Sequence, residues 1–146
     1  MIGKIRRDRI GKKKMKGESV MGLFDGLIGN ASEVKTGDAQ KEFGNLLIEG
    51  EQIEKAYKLI RDLFLFTNKR LILIDKQGLS GKKVEYHSIP YSNITHFAVE
   101  TAGTFDLDAE LKIWISGMNE PLSKTFNKSL NIYDVHAVLA NYILKK

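Results

Sequence analysis

A mainly β fold is predicted: an antiparallel seven-stranded barrel or sandwich, capped by a C-terminal α-helix and preceded by short N-terminal helices. Three observations predict it. Two unbroken apolar runs, residues 63–66 and 71–74, flank the polar turn Thr67-Asn68-Lys69-Arg70. Each run is too short for a helix and is bounded by polar residues, so the pair reads as a β-hairpin. A hairpin apolar on both faces must be covered on both, which calls for a layered β structure. Residues 108–116 alternate, with Ala109, Leu111, Ile113 and Ile115 on one side and Glu110, Lys112, Trp114 and Ser116 on the other, the period of a half-buried strand. Residues 131–146 carry an apolar stripe at helical spacing behind Asn131, a residue suited to an N-cap.

From the start of the chain, residues 1–20 show no periodicity. Ile2, Ile5, Ile10, Met15 and Val20 are scattered among Gly and Lys, which predicts a disordered leader. The leader holds eight of the 23 Lys/Arg and two of the 18 acids, leaving 15 bases and 16 acids for the rest of the chain. The overall charge of +5 therefore resides in the leader. The near-neutral remainder offers no broad field for nucleic acid, so nucleic-acid binding is not expected. No apolar segment follows the basic start, so it is not a secretory signal. Lys16-Gly17-Glu18 can be encoded by AAA-GGA-GAA, a purine-rich ribosome-binding sequence just upstream of Met21. The expectation is that translation starts at Met21 and that 1–20 are an over-called start, in preference to a nucleic-acid or lipid-binding arm.

Residues 21–48 are expected to be a helical segment and 49–146 the main domain. Leu23, Phe24, Leu27 and Ile28 cluster on one face of 21–32, weakened as a helix by Gly22, Gly26 and Gly29. The stretch lacks the basic face of a membrane-lying helix, so it is expected to pack on its own domain or on a neighbouring subunit. Residues 33–48 read as a second short helix striped by Ala39, Phe43, Leu46 and Leu47, with Gly37-Asp38 able to break or cap it. Strands follow at 52–59, with Ile53, Lys55, Tyr57 and Leu59 to one side, and at the central hairpin, where Asn68 suits a positive φ. Further strands fall at 83–89, ended by Pro90, and at 94–101, with Phe97 and Val99 opposed to His96 and Ala98. The last two are 108–116 and 122–127, the latter with Leu122 and Phe126 inward. In the terminal helix Asp134 takes a capping-box position, and Ile132, Val135, Val138, Leu139, Tyr142 and Ile143 form the stripe.

The run Phe64-Leu65-Phe66-Thr67-Asn68-Lys69-Arg70-Leu71-Ile72-Leu73-Ile74-Asp75 resembles the hairpin of the bacterial pleckstrin-homology-like (bPH) domains, formerly a domain of unknown function. Ile89-Pro90-Tyr91-Ser92-Asn93-Ile94, then Phe97 and Glu100-Thr101, are similar to the same pattern, as is Met21-Gly22-Leu23-Phe24-Asp25. The resemblance runs from residue 21 to the C-terminus and implies a pleckstrin-homology-like (PH-like) fold. It also implies ring-shaped homo-oligomers. Its motifs are those of a fold and name no reaction. A lipocalin-like or five-stranded oligonucleotide-binding barrel fits less well, because neither expects the terminal helix.

Catalytic patterns are absent from the sequence. There is no cysteine, hence no disulfide framework and no thiol chemistry. His87, His96 and His136 have no paired spacing for a metal, and neither a Gly-x-Ser-x-Gly elbow nor a phosphate loop occurs. The acid pairs Glu49/Glu51 and Asp106/Asp108 fall in loops and are expected to be solvated. Eukaryotic pleckstrin-homology domains bind phosphoinositides through a basic loop between their first strands. Here that connection is only Ile60-Arg61-Asp62, so phosphoinositide binding is not expected. Lys69, Arg70, Lys82 and Lys83 form the adjacent basic pairs of the domain before the C-terminal Lys145-Lys146 and are weak anion candidates. Trp114 is an outward aromatic, either an interface anchor or a residue covered by a helix of its own chain.

The sequence thus predicts a non-enzymatic, cytoplasmic, PH-like module without cofactors. It is expected to self-associate into a cyclic homo-oligomer, with Leu23, Phe24, Leu27, Ile28 and Trp114 as candidate interface, and to bind a protein or peptide. Two alternatives stand beside it: a membrane-surface adaptor using 21–32, and a small-ligand-binding barrel, which would need a deep pocket with convergent polar groups.

Overall fold

The structure, a computed structural model, describes residues 33–59, 62–77, 83–101, 103, 108–127 and 130–145. The chain runs through β1 (Glu33–Val34), α1 (Thr36–Phe43), a 3-10 turn (Gly44–Leu46), β2 (Ile53–Lys58), β3 (Asp62–Thr67) and β4 (Arg70–Gln77). It continues through β5 (Lys83–Pro90), a 3-10 turn (Tyr91–Asn93), β6 (Ile94–Glu100), β7 (Asp108–Ile115), β8 (Leu122–Asn127) and α2 (Ile132–Ile143). Two antiparallel sheets result, β1-β2-β3-β4-β5 and β6-β7-β8.

The central hairpin is the middle layer. All six residues of β3 are buried, because the strand separates two cores. Phe64, Phe66, Leu71 and Leu73 point into the space between the sheets, where Leu111, Ile113, Phe126 and the α2 residues Ile132, Val135 and Leu139 meet them. Leu63, Leu65, Ile72 and Ile74 point the other way, onto Val34, Ala39, Phe43 and Ala56. An apolar run without alternation is what a strand covered on both faces requires. The helix α2 fills the opening between the sheets: His136 meets Phe97 of β6, and the Tyr142 hydroxyl donates to Glu54 Oε1 of β2. Its start is capped as expected, the Asn131 side chain accepting from Tyr133 N at 3.0 Å.

Of the expected barrel or sandwich, the two sheets form the open sandwich. At Pro90, which has no ladder donor, the chain passes through the 3-10 turn at Tyr91–Asn93 into a second sheet. Three details differ from the sequence reading. An eighth strand, β1, stands where a helix was expected to begin, and its two residues pair with Tyr57 and Ala56. The helix α1 is one element only eight residues long, with Gly37 inside it, and it gives way to the 3-10 turn at Gly44. In β2, a register shift between Ile53 and Lys55 turns Ile53 away from Tyr57, so Ile53 joins the core under α1 while Tyr57 joins the one between the sheets.

Candidate interaction surface

The turn between β3 and β4 is built from side chains. Thr67 Oγ1 accepts from Lys69 N at 3.0 Å and Arg70 N at 2.9 Å, which closes the turn. The same hydroxyl donates to Glu51 Oε2 at 2.7 Å. Arg70 places Nε on Glu51 Oε2 and one terminal nitrogen on Glu51 Oε1, both at 2.9 Å, a bidentate fork. That terminal nitrogen also donates to Leu46 O at 2.7 Å, and the other to Ser88 Oγ at 2.8 Å. Ile48 N completes the Glu51 shell at 3.0 Å. The Glu51 side chain has no solvent access, which corrects the expectation that it is a solvated loop acid. Its hydrogen bonds from Arg70 hold its carboxyl down at about 2, against an opposing push from burial.

Asn68 corrects a second expectation. No described residue other than glycine has a positive φ, so the asparagine is not there for a left-handed turn. Its side chain ties the turn to the segment before β2 instead: Oδ1 accepts from Gln52 N at 2.9 Å and Nδ2 donates to Gly50 O at 3.0 Å. Gly50 itself holds φ at 77°, a conformation that favours glycine. Asn68→Gly is therefore expected to lower stability by about 1 kcal/mol in denaturant unfolding. A neutral result would mean that only the backbone shape matters at this position.

Behind the turn, Tyr91 donates its hydroxyl to Thr67 O at 2.6 Å and stacks on Tyr142 at 4.5 Å. Burial, with Glu54 and Glu51 nearby, raises the Tyr91 phenol well above its ordinary range, so it serves as a neutral donor. This end of the molecule is a framework of satisfied groups, and Arg70 is part of it. Lys69 is exposed at the turn. Lys83 pairs with Gln77 at the far end of the β4–β5 ladder while Arg70 pairs with Pro90. Seven residues of strand separate them, about 23 Å. The basic pairs thus do not converge. Lys82 lies outside the described residues, as do Leu23, Phe24, Leu27 and Ile28.

Trp114 is where the strand reading placed it, on the outer face of the β6-β7-β8 sheet. The inward side of β7 is spent on Ala109, Leu111 and Ile113. Among the described elements neither helix covers Trp114: α1 packs on the other sheet, and α2 buries Ile132, Val135 and Leu139 inward. Its cover comes from the neighbouring strand. His96 lies directly opposite across β6–β7 and stacks on the indole, ring centroids 4.3 Å apart and planes 15° from parallel. Thr95 Oγ1 sits 3.0 Å from His96 Nδ1 and 3.2 Å from Trp114 O, where a register shift precedes His96. Around the pair the outer face carries Ala98, Glu100, Glu110, Lys112, Ser123 and Thr125. It is a mixed-charge strand surface with one aromatic platform. His87 is half-buried on β5, and His136 stands on α2 against Phe97, so the three histidines occupy separate places. Among the described residues no group of three His, Cys, Asp or Glu side chains is arranged to hold a metal. No described helix is long and apolar enough to cross a membrane.

Comparison with known proteins agrees with this architecture. The family model described as bacterial PH domain matches residues 22–143. The uncharacterized protein YjqA of Bacillus subtilis is 60% identical over 121 residues, 82% of this chain and 97% of that protein. The uncharacterized protein YozO of the same organism is 39% identical over 123 residues, 84% of this chain and 98% of that protein. Among solved structures, a protein with a pleckstrin-homology domain from Shewanella loihica superimposes with a TM-score of 0.69 at 55% identity, covering 77% of this chain and 97% of that one. A pleckstrin homology domain from Shewanella amazonensis gives a TM-score of 0.70 at 54% identity, covering 76% of this chain and all of the other. A two-sheet sandwich with a terminal helix, a family match over most of its length and relatives aligned nearly end to end place this chain in the bacterial PH domain family.

Proposed function

We propose that the chain is a non-enzymatic, cytoplasmic interaction module that assembles with copies of itself into a ring and presents a strand surface to a protein or peptide. The observation that carries the reading is Trp114. It is a large aromatic on an outward strand face, covered on one side by His96 and by neither described helix. Trp is enriched among the residues that dominate binding energy at interfaces. The surrounding charges are of both signs, as at the polar rim of a specific interface rather than in a site for polyanions.

Light scattering behind size exclusion on the full chain tests this, with Trp114→Ala beside it. The wild type is expected to elute as one defined multimer. The variant is expected to dissociate at concentrations roughly thirtyfold higher, the effect of losing an anchor worth about 2 kcal/mol. A wild type that stays monomeric at every concentration removes self-assembly. A multimer unchanged by Trp114→Ala moves the interface away from this face.

A further inference from the structure

At the end of β3 opposite the turn, two carboxylates share one ammonium. Asp62 and Asp75 face each other across the β3–β4 ladder. By strand alternation both point into the space between the sheets, as do Phe64 and Leu73 two residues away. From β8 of the other sheet comes Lys124, on the inward register with Leu122 and Phe126. Its Nζ lies 2.6 Å from Asp62 Oδ2 and 3.8 Å from Asp75 Oδ2. The side chains keep 8% (Asp62), 28% (Asp75) and 16% (Lys124) of their accessibility. Like charges directly opposite in a ladder repel, and one ammonium offsets only one of the two. Burial raises the affinity of Asp62 for a proton, Asp75 adds to it, and Lys124 opposes both without cancelling them.

We propose that Asp62, Asp75 and Lys124 form a proton-governed latch between the two sheets: one proton shared by the carboxylates makes the cluster neutral and holds β8 against β3 and β4, and its loss loosens that contact. The proton is taken from water onto Asp62, which then donates to Asp75, leaving a single negative charge for Lys124. Among the described residues, the charged groups of the cluster are Asp62 of β3, Asp75 of β4 and Lys124 of β8; on the same face β5 adds the exposed Glu85, directly opposite Asp75, and the half-buried His87, opposite Leu73. Lys58 of β2 and Lys76 of β4 take the alternate register and point to the other side of the sheet. Beside Lys124, β7 presents the apolar Leu111.

The direction of the pH effect follows. Asp62 holds its proton more tightly in the folded chain than in the unfolded one. Its contribution to stability is complete below the ordinary Asp range and is lost as pH rises through the raised folded value. Backbone amide exchange, corrected for intrinsic rates, reads the latch locally. In the wild type, protection in β8 is expected to fall severalfold as pH rises from the ordinary Asp range through the raised folded value of Asp62. Asp75→Asn removes the second charge and keeps a hydrogen-bonding group, so its protection is expected to stay level across the same range. Asp62→Asn, the reciprocal change, is expected to flatten the profile too. Parallel profiles in the wild type and either asparagine variant, or wild-type protection that rises with pH, would overturn the latch.

Discussion

Phe66→Ala is expected to cost about 4 kcal/mol, since removing a fully buried aromatic costs roughly 3–5 kcal/mol through lost transfer energy and the cavity left behind. The upper half of that range applies because the ring has rigid neighbours on three sides. Tyr57 and Phe64 meet it edge-on at 5.9 and 6.1 Å, and Tyr142 lies parallel to it at 6.2 Å. None of these can collapse into the void without giving up another contact. Tyr142 is tied to Glu54 and stacked on Tyr91, and Phe64 is held against Phe126. Leu65→Ala, one residue away, opens the opposite core under α1 and is expected to cost about 3 kcal/mol. Urea unfolding that follows the midpoint at constant slope checks both. Two neighbouring residues that are each this costly are expected only of a strand buried on both faces. A loss under about 1 kcal/mol at either one would mean that its face of the hairpin is open to water.

The double burial is the part of the fold most legible in the sequence. Residues 63–66 and 71–74 contain no polar residue, and no one-sided sheet tolerates that. The alternation of 109–115 and the stripe from Ile132 to Ile143 are equally direct, because each element's own period states which face is inside. What could not be read has nonlocal causes. Two residues, Glu33 and Val34, make a strand only because β2 offers them an edge, and nothing in their own chemistry announces it. The register shift that turns Ile53 into the other core is set by the ladder to Thr67. Glu51 and Arg70 lie 19 positions apart, and each taken alone looks like an ordinary surface charge. A usable hint was the Thr67-Asn68 pair beside an Arg at the mouth of a buried hairpin, since such residues seek hydrogen-bond partners. The cluster at Lys124 left a plainer trace. Its register between Leu122 and Phe126 is inward, and an inward lysine demands an acid.

Arg70→Ala is expected to destabilise the chain by about 3 kcal/mol at neutral pH, because truncating one partner of a buried ion pair leaves the other charge uncompensated. The asymmetry of the pair sharpens this. The Glu51 side chain has no solvent access, whereas that of Arg70 keeps 24%. Losing Arg70 therefore strands a carboxylate in the interior, while Glu51→Gln leaves a guanidinium that water can still reach and is expected to cost less. Arg70→Lys retains the charge but not the fork, so it is expected to fall between them. Acid distinguishes this account from simple loss of packing. In the wild type the Glu51 carboxyl is held at about 2, below its ordinary 4.5. Its contribution is present above the ordinary value and is lost as pH falls through about 2. In Arg70→Ala the strongest cause of that depression is gone while burial still pushes the carboxyl upward. The variant should then gain from protonating Glu51 under conditions where the wild type has yet to lose anything. The gap between the two chains, measured by denaturant unfolding at a series of pH values, is expected to narrow steadily on acidification. A gap of constant width would mean that Arg70 acts through its contacts with Leu46 and Ser88, and that the carboxylate is incidental.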